Sequence, residues 1–253
     1  MKKVYLIGAG PGDPELITLK AVRALGESDA VLYDHLINPE LLRYCKDHTE
    51  FIFVGKSKGD HTLPQDDINK LIVELTSKYD TVSRVKGGDP YIFGRGGEEF
   101  EYVLNQGIYC EVIPGITSAS GASTSCHIPL THRDYASEVI FITGHKKKEG
   151  DYEDFSSVDL KRKTYVLYMA VSSVSDIMNE VMKNPDNRNI PVAVVEKATL
   201  KNERVVTGTV ENISSVIEKN SIQPPALIIL GEVVNFHNRI SEILKKFNTE
   251  TVI

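Results

Sequence analysis

The sequence predicts an α/β protein of two domains, with a mostly parallel first sheet, a mixed second sheet and a ligand cleft between them. Three observations predict it. Short β-branched runs alternate with helical patterns through the first half, the signature of βαβ units and a parallel sheet. After Pro114 the texture changes to "GITSASGASTSCHIPLTHRDY", dense in Gly, Ser and Thr, before strand-like runs resume. In the second half Arg204–Thr207 follows Pro191–Val195 without room for a helix, so that pair is expected to be antiparallel.

The elements follow in order. Strands are expected at Val4–Ile7, Ala30–Tyr33, Phe51–Val54, Thr81–Val85 and Ile108–Ile113, with helices near Glu15–Gly26, Gln65–Lys78 and Gly97–Gln106. Thr62-Leu63-Pro64-Gln65 reads as a capping box opening the second helix. The second half adds strands at Glu138–Thr143, Thr164–Tyr168, Pro191–Val195, Arg204–Thr207 and Ala226–Leu230, with helices near Val174–Met182, Val210–Lys219 and Asn235–Phe247. The junction divides the chain into an N-terminal domain, 1–115, and a C-terminal domain, 116–253. Such a junction is where a cleft is expected.

Composition narrows the function. A hydrophobic fraction of 41% and a charged fraction of 25% are those of an ordinary globular protein of 253 residues. A net charge of −6 gives no field to attract polyanions, so no nucleic-acid partner is expected and an acidic ligand needs a local basic pocket. No apolar run approaches the roughly 18 residues of a membrane span, and Val4–Ile7 behind Lys2 and Lys3 is too short for a signal sequence. The expected location is the cytoplasm. Cys45, Cys110 and Cys126 are odd in number and form no C-x-x-C pair, so they read as small buried hydrophobes rather than disulfides or zinc ligands. The histidines show no paired spacing, and no metal is expected.

The loop "GAGPGD" after the first strand resembles a dinucleotide fingerprint, but Asp13 stands where the third glycine belongs. A carboxylate there would repel a pyrophosphate, whereas Asp13-Pro14 reads as the N-cap and first residue of a helix. The loop suits a ligand without a pyrophosphate. "GKS" at 55–57 fails as a P-loop because Glu50 holds the first glycine position, and "HRD" at 132–134 lacks the rest of a kinase signature.

The densest stretch is "RVKGGDPYIFGRGGEE", residues 84–99. Five glycines within eleven residues exceed the needs of a turn and indicate a loop wrapped against a ligand at the carboxyl end of a strand. Asp34 closes "AVLYD" and Lys56 follows "FIFVG" at other strand ends. Lys56, Lys58, Arg84, Lys86, Arg95, His132 and Arg133 add positive charge near these loops, enough to offset a polycarboxylate if gathered at a cleft.

With these residues quoted, the chain resembles the tetrapyrrole (corrin/porphyrin) methylases along nearly its whole length. "VYLIGAGPGDPELITLKA", "VLYD", "VGK", "VKGGDPYIFGRGGEE", "VIPGITSASGAS", "IPLTHRDYA", "TGH", "YM" and "PALIILGEVV" occur in the family's order. "GGDPYIFGRGGEE" with "PLTHRDYA" resembles the members that act on uroporphyrinogen III. The resemblance implies S-adenosylmethionine as methyl donor, S-adenosylhomocysteine as by-product, a homodimer, and two successive methylations through precorrin-1 to precorrin-2, which leads to sirohaem and cobalamin. It places Pro11, Gly87, Gly88, Asp89, Ile92, Thr117, Ser118, Met169 and Ala198 at the donor. Asp34 becomes the proton acceptor and Lys56 the proton donor, although Lys56 is equally suited to a substrate carboxylate. Arg84, Arg95, His132 and Arg133 are the expected substrate-binding cations. Ser118 and Ala198 stand where relatives carry Ala and Gly, positions suited to backbone contacts. The dehydrogenase and ferrochelatase module of some relatives is not expected in this chain. A later precorrin methylase, a diphthine synthase, an adenosylmethionine-binding sensor and an NAD-dependent oxidoreductase are the alternatives. The last two are opposed by Asp34, Lys56 and Met169, and by Asp13.

Overall fold

The computed structural model describes residues 2–55, 63–144, 155 and 158–250, the last three as backbone alone. The chain divides into two compact units, Met1–Ser118 and Ala119–Ile253.

The first unit is a five-stranded sheet of β1 (Lys3–Gly8), β2 (Ala30–Tyr33), β3 (Glu50–Phe53), β4 (Thr81–Lys86) and β5 (Tyr109–Ile113), in the order β3-β2-β4-β1-β5. Every pairing is parallel. The two-residue period of a strand sends alternate side chains to opposite faces. Val4, Leu6, Ala30, Leu32 and Val82 meet Ile68, Ile72 and Leu75 of α2 (Gln65–Lys78) and Val103 of α3 (Gly96–Asn105) on one face. Tyr5, Ile7, Val31, Val85 and Ile113 meet Ala21, Ala24 and Leu25 of α1 (Leu19–Glu27) on the other. Both faces are covered, which is why β1 and β2 read as almost unbroken apolar runs.

The expected helix over Glu15–Gly26 is in fact two pieces. Asp13 Oδ1 accepts from Glu15 N at 2.9 Å and caps a 3-10 turn over Pro14–Leu16, not the helix. Ile17 returns to extended backbone, and Thr18 Oγ1 accepts from Ala21 N at 3.1 Å to start α1. A second capping group, read only as part of the helix, is the physical cause. Thr62 of the expected capping box lies outside the described residues, and Pro64 occupies the N-cap of α2.

The second unit is a mixed five-stranded sheet of β6 (Glu138–Thr143), β7 (Lys163–Tyr168), β8 (Pro191–Glu196), β9 (Arg204–Thr209) and β10 (Ala226–Leu230), ordered β6-β7-β10-β8-β9. β8 and β9 are antiparallel, as their spacing predicts. β6 and β7 are parallel, and β10 is antiparallel to both β7 and β8, so β6, β7 and β8 all run the same way. Tyr165, Leu167, Val192, Val194, Ile228 and Leu230 pack with α5 (Val174–Val181) and α6 (Ile213–Lys219) in one apolar core. The helix α7 (Val234–Glu250) ends the chain's described course.

One helix is absent from the sequence reading: α4, Ser118–Ser125, formed by "SASGASTS". Thr124 Oγ1 donates back to Ser120 O and Gly121 O, and Ser125 Oγ to Ala122 O, so the hydroxyls that disfavour helices find partners inside this one. Buried Ala119 and Ala122 then let packing override propensity. Cys110 and Cys126 are buried, and burial pushes both thiols up to about 12; half-buried Cys45 rises to about 11.

Candidate active site

In a parallel sheet the loops after the strands gather at one edge, where ligands bind. In the first unit these are the loops after β1, β2, β4 and β5, and they are bonded to one another. Gly88 N donates to Gly10 O at 2.7 Å and Gly10 N to Gly88 O at 3.2 Å, joining the loops after β1 and β4. Asn38 Nδ2 donates to Gly12 O at 3.0 Å, bringing in the loop after β2. Asp89 Oδ2 accepts from Gly115 N at 3.1 Å and its Oδ1 from Tyr91 N at 2.8 Å, adding the loop after β5.

The glycines here do two different jobs. A Cβ on Gly115 would lie 2.2 Å from Gly88 O, and one on Gly8 would lie 2.4 Å from Gly115 N, so these two permit backbone to touch backbone. At Gly88, with φ +68, a Cβ would meet only Ser118 N at 3.7 Å and Thr117 Cα at 3.8 Å. Apart from its φ, that position has ordinary room for a side chain, and glycine leaves the room empty: a cradle floored by Thr117 and Ser118. Pro11, Gly87, Ile92, Thr117 and Ser118 are all half-buried around these loops.

Beneath the loops lies a chain of buried charges. Asp34, at the end of β2, accepts from Arg84 Nη2 on Oδ2 at 2.8 Å and from Leu36 N on Oδ1 at 2.9 Å. Glu99 of α3 is fully buried; its Oε1 lies 3.6 Å from Arg84 Nε and accepts from Lys86 Nζ at 2.8 Å and Gln65 Nε2 at 3.0 Å. Arg84 Nε and Glu99 Oε2 are buried without a hydrogen-bond partner. Burial, with the Arg84 charge second, holds the Lys86 ammonium below its ordinary range, and Glu99 opposes both. Burying an ion costs several kcal/mol unless it is paired, and here each cation is paired.

This geometry corrects one expectation. Arg84 is only 4% exposed and its guanidinium faces Asp34 and Glu99, so it belongs to the Asp34 pair and not to a surface cluster for substrate carboxylates. Arg95 is exposed, at φ 55, with its fork closed on Glu98 at 2.9 and 2.6 Å. Lys56 lies outside the described residues, as do Lys58 and His145.

In the second unit the ends of β6, β7 and β8 share one edge. Met169 follows β7 at φ 53 and is 53% exposed, a left-handed conformation that costs a non-glycine residue of order 1–3 kcal/mol and is held by its surroundings. Buried Ala198 follows β8 between Lys197 and Thr199, also left-handed at φ 52 and φ 68. Lys197 N donates to Pro225 O at 2.9 Å and Thr199 N to Glu203 Oε2 at 2.6 Å, which fixes that turn. His132 Nδ1 accepts from Asp134 N at 3.1 Å, and the ring packs on Tyr135 and Phe236. Arg133 is exposed, and its carbonyl accepts from Arg162 Nη2 at 2.9 Å.

Glu99, the pairing of Lys86 with it, and Asn38 are not read from the sequence alone, where Lys86 is only one of the cations near these loops. A signal for the first two was present: Arg84 and Lys86 stand two apart on β4, a strand flanked on both sides, where cations are rare unless paired. Among the described residues no group of acids, histidines and cysteines could hold a metal, and no helix is long and apolar enough to cross a membrane.

Over residues 3–214 the chain matches the family of Tetrapyrrole (Corrin/Porphyrin) Methylases. A siroheme synthase of Pseudoalteromonas translucida (strain TAC 125) is 43% identical over 238 residues, 94% of this chain and 50% of that protein. The chain thus spans about half the length of the curated relatives it matches. A uroporphyrin III C-methyl transferase from Thermus thermophilus is 38% identical across 92% of this chain and 99% of that one, with a TM-score of 0.77. Its complex with S-adenyl homocysteine gives 38% identity over the same shares and a TM-score of 0.78. A cobalt precorrin-4 methyltransferase is 28% identical across 91% of this chain and 95% of that one, with a TM-score of 0.79.

Proposed function

The chain belongs to the tetrapyrrole (corrin/porphyrin) methylases, and on that premise we propose that it methylates uroporphyrinogen III twice with S-adenosylmethionine, through precorrin-1, to give precorrin-2. The observation that carries this reading is the Asp34 carboxylate, fixed by Arg84 at 2.8 Å on the sheet edge that also holds the Gly88 cradle. The residues fit the donor. The cradle is open backbone and supplies no cation for a phosphate, and the Asp89 carboxylate is taken up by two backbone N–H groups. Pro11, Gly87, Gly88, Asp89, Ile92, Thr117 and Ser118 of the first unit would hold it, largely through backbone.

S-adenosylmethionine, when bound, supplies a sulfonium methyl open to in-line attack by an electron-rich ring carbon. This chain's part is positioning, which alone can be worth orders of magnitude in rate. Methylation leaves the macrocycle cationic, and neutrality returns when a ring proton departs. Asp34 takes that proton; its free lone pairs face away from Arg84 and Leu36 N, which hold the carboxylate in one rotamer. Lys56 acts as proton donor or binds a substrate carboxylate. Arg95, His132 and Arg133 meet the remaining carboxylates. The active form is a cytoplasmic homodimer, and the product is of use to sirohaem and cobalamin synthesis.

Purified protein, S-adenosylmethionine and enzymatically generated uroporphyrinogen III under anaerobic conditions are expected to yield a product heavier by two methyl groups, with the absorbance of precorrin-2. No mass gain would rule the reading out. Methylation of a later precorrin in place of uroporphyrinogen III would move the chain to the activity named for its 28% identical structural relative.

A further inference from the structure

Methyl transfer to the ring asks little of Lys86 and Glu99, yet both are buried at the active edge. Glu99 is 0% exposed, Lys86 is 5% exposed, and their charged atoms are 2.8 Å apart. Buried ion pairs are poor stabilisers, because an apolar pair of the same volume often serves as well or better. Their location suggests another use. Glu99 Oε1 sits between two cations, Lys86 Nζ at 2.8 Å and Arg84 Nε at 3.6 Å, and the far side of Arg84 binds Asp34 at 2.8 Å. The guanidinium is therefore shared by two carboxylates, and Lys86 decides how strongly one of them competes for it.

We propose that Lys86 and Glu99 are positioning residues: Lys86 neutralises Glu99, and this leaves Arg84 free to orient Asp34. The inference rests on the assignment of Asp34 as proton acceptor. In spatial order the charges read −, +, −, + from Asp34 through Arg84 and Glu99 to Lys86, and they sum to zero. Without Lys86 the cluster carries one excess negative charge; Glu99 draws on Arg84, and Asp34 binds its proton more readily. With Lys86 and Glu99 both neutral, Arg84 and Asp34 remain as a one-to-one pair. Other charged or titratable groups facing the cluster are Glu98 and Arg95 at the start of α3, Asp66 on α2 and Cys110 on β5, and His35 stands beside Asp34 in sequence. β1 brings only Leu6, Ile7 and Gly8 to this end of the sheet. None of these is altered in the test.

The test compares Lys86→Met, Lys86→Arg and the double variant Lys86→Met/Glu99→Gln by pH–rate profile, with thermal unfolding as the control for folding. Lys86→Met is expected to shift the acid limb of kcat/KM up by about 0.5–1 pH unit and to lower kcat roughly tenfold, with KM for S-adenosylmethionine within about twofold. Lys86→Arg keeps the limb in place, and the double variant brings it back. A purely structural pair predicts the opposite pattern: lowered melting temperatures, the double variant no better than the single, and a limb that never moves. An unmoved limb in folded Lys86→Met overturns the proposal; if that variant does not fold, Lys86→Gln takes its place. The Asp34 carboxyl ¹³C titration in ligand-free protein, assigned with Asp34→Asn, must move the same way and needs no substrate. Wild-type protein without methyl transfer defeats the proposed function instead, while the titration still decides the role of Lys86.

Discussion

The two sheets end in edges built on different principles. At the edge of the first, side chains carry charge: Asp34, Arg84, Lys86 and Glu99 lie under glycine loops, and β4, flanked on both sides, holds two buried cations. At the edge of the second, backbone carries the geometry: β10 is apolar throughout and β8 up to its last residue, Glu196, and Met169, Lys197 and Thr199 turn left-handed just beyond the strands. Buried ions need partners fixed in advance, so the first unit spends stability on electrostatics. Left-handed turns redirect the backbone without burying a charge, at a smaller local cost.

Four substitutions and one control break or sharpen this contrast, the four in falling order of effect. Asp34→Ala is expected to lower turnover by about 10²–10⁴ while donor affinity, read by calorimetry, stays within about twofold. An unchanged rate would remove charge from the first edge's chemistry. Gly115→Ala drives a Cβ to 2.2 Å from Gly88 O, and thermal unfolding should record a loss of about 1–3 kcal/mol. The same substitution at Gly97, where nothing lies within 4 Å, should leave the melting temperature close to wild type.

The third probes the second unit. Glu196 is buried at the end of β8, and its carboxyl is held below the usual range by Arg204 first, against burial, and then by Gln223 N. A lowered carboxyl contributes stability that is present above its ordinary value of 4.5 and lost as pH falls through the folded-state value. Arg204→Ala should therefore lower the melting temperature at neutral pH, less so in acid, and leave turnover alone. A large fall in rate would mean that the second edge also works through charge. Last, Arg133→Ala should raise KM for uroporphyrinogen III roughly two- to fivefold, as an exposed cation facing a carboxylate does. Unaltered saturation would leave Arg133 as plain surface.

Much of this was legible in the residues. Periodicity and breaker residues placed β2, α2, β6 and β10 at their observed bounds, because apolar alternation and Gly or Pro punctuation are local signals. The motif runs identified the family, and the loop after β4 was recognisable by glycine density alone. α4 was invisible, since its helicity depends on hydroxyls bonding back to its own carbonyls and on Ala packing. The break at Ile17 turned on which of two capping residues starts the helix.

By itself, then, the sequence determined the two-sheet α/β plan, the order of strands and loops, the family, and Asp34 as an acid at a strand end. Only the tertiary structure decided what the charged residues do. Asp34 and Arg84 are fifty positions apart and Glu99 lies on a helix, so no local pattern shows that one guanidinium serves two carboxylates. It also divided the glycines, Gly8 and Gly115 for backbone contact and Gly88 for an open cradle. The reason is the same in each case: pairing and close approach are set by distances between segments remote in sequence, and those distances exist only once the sheet has formed.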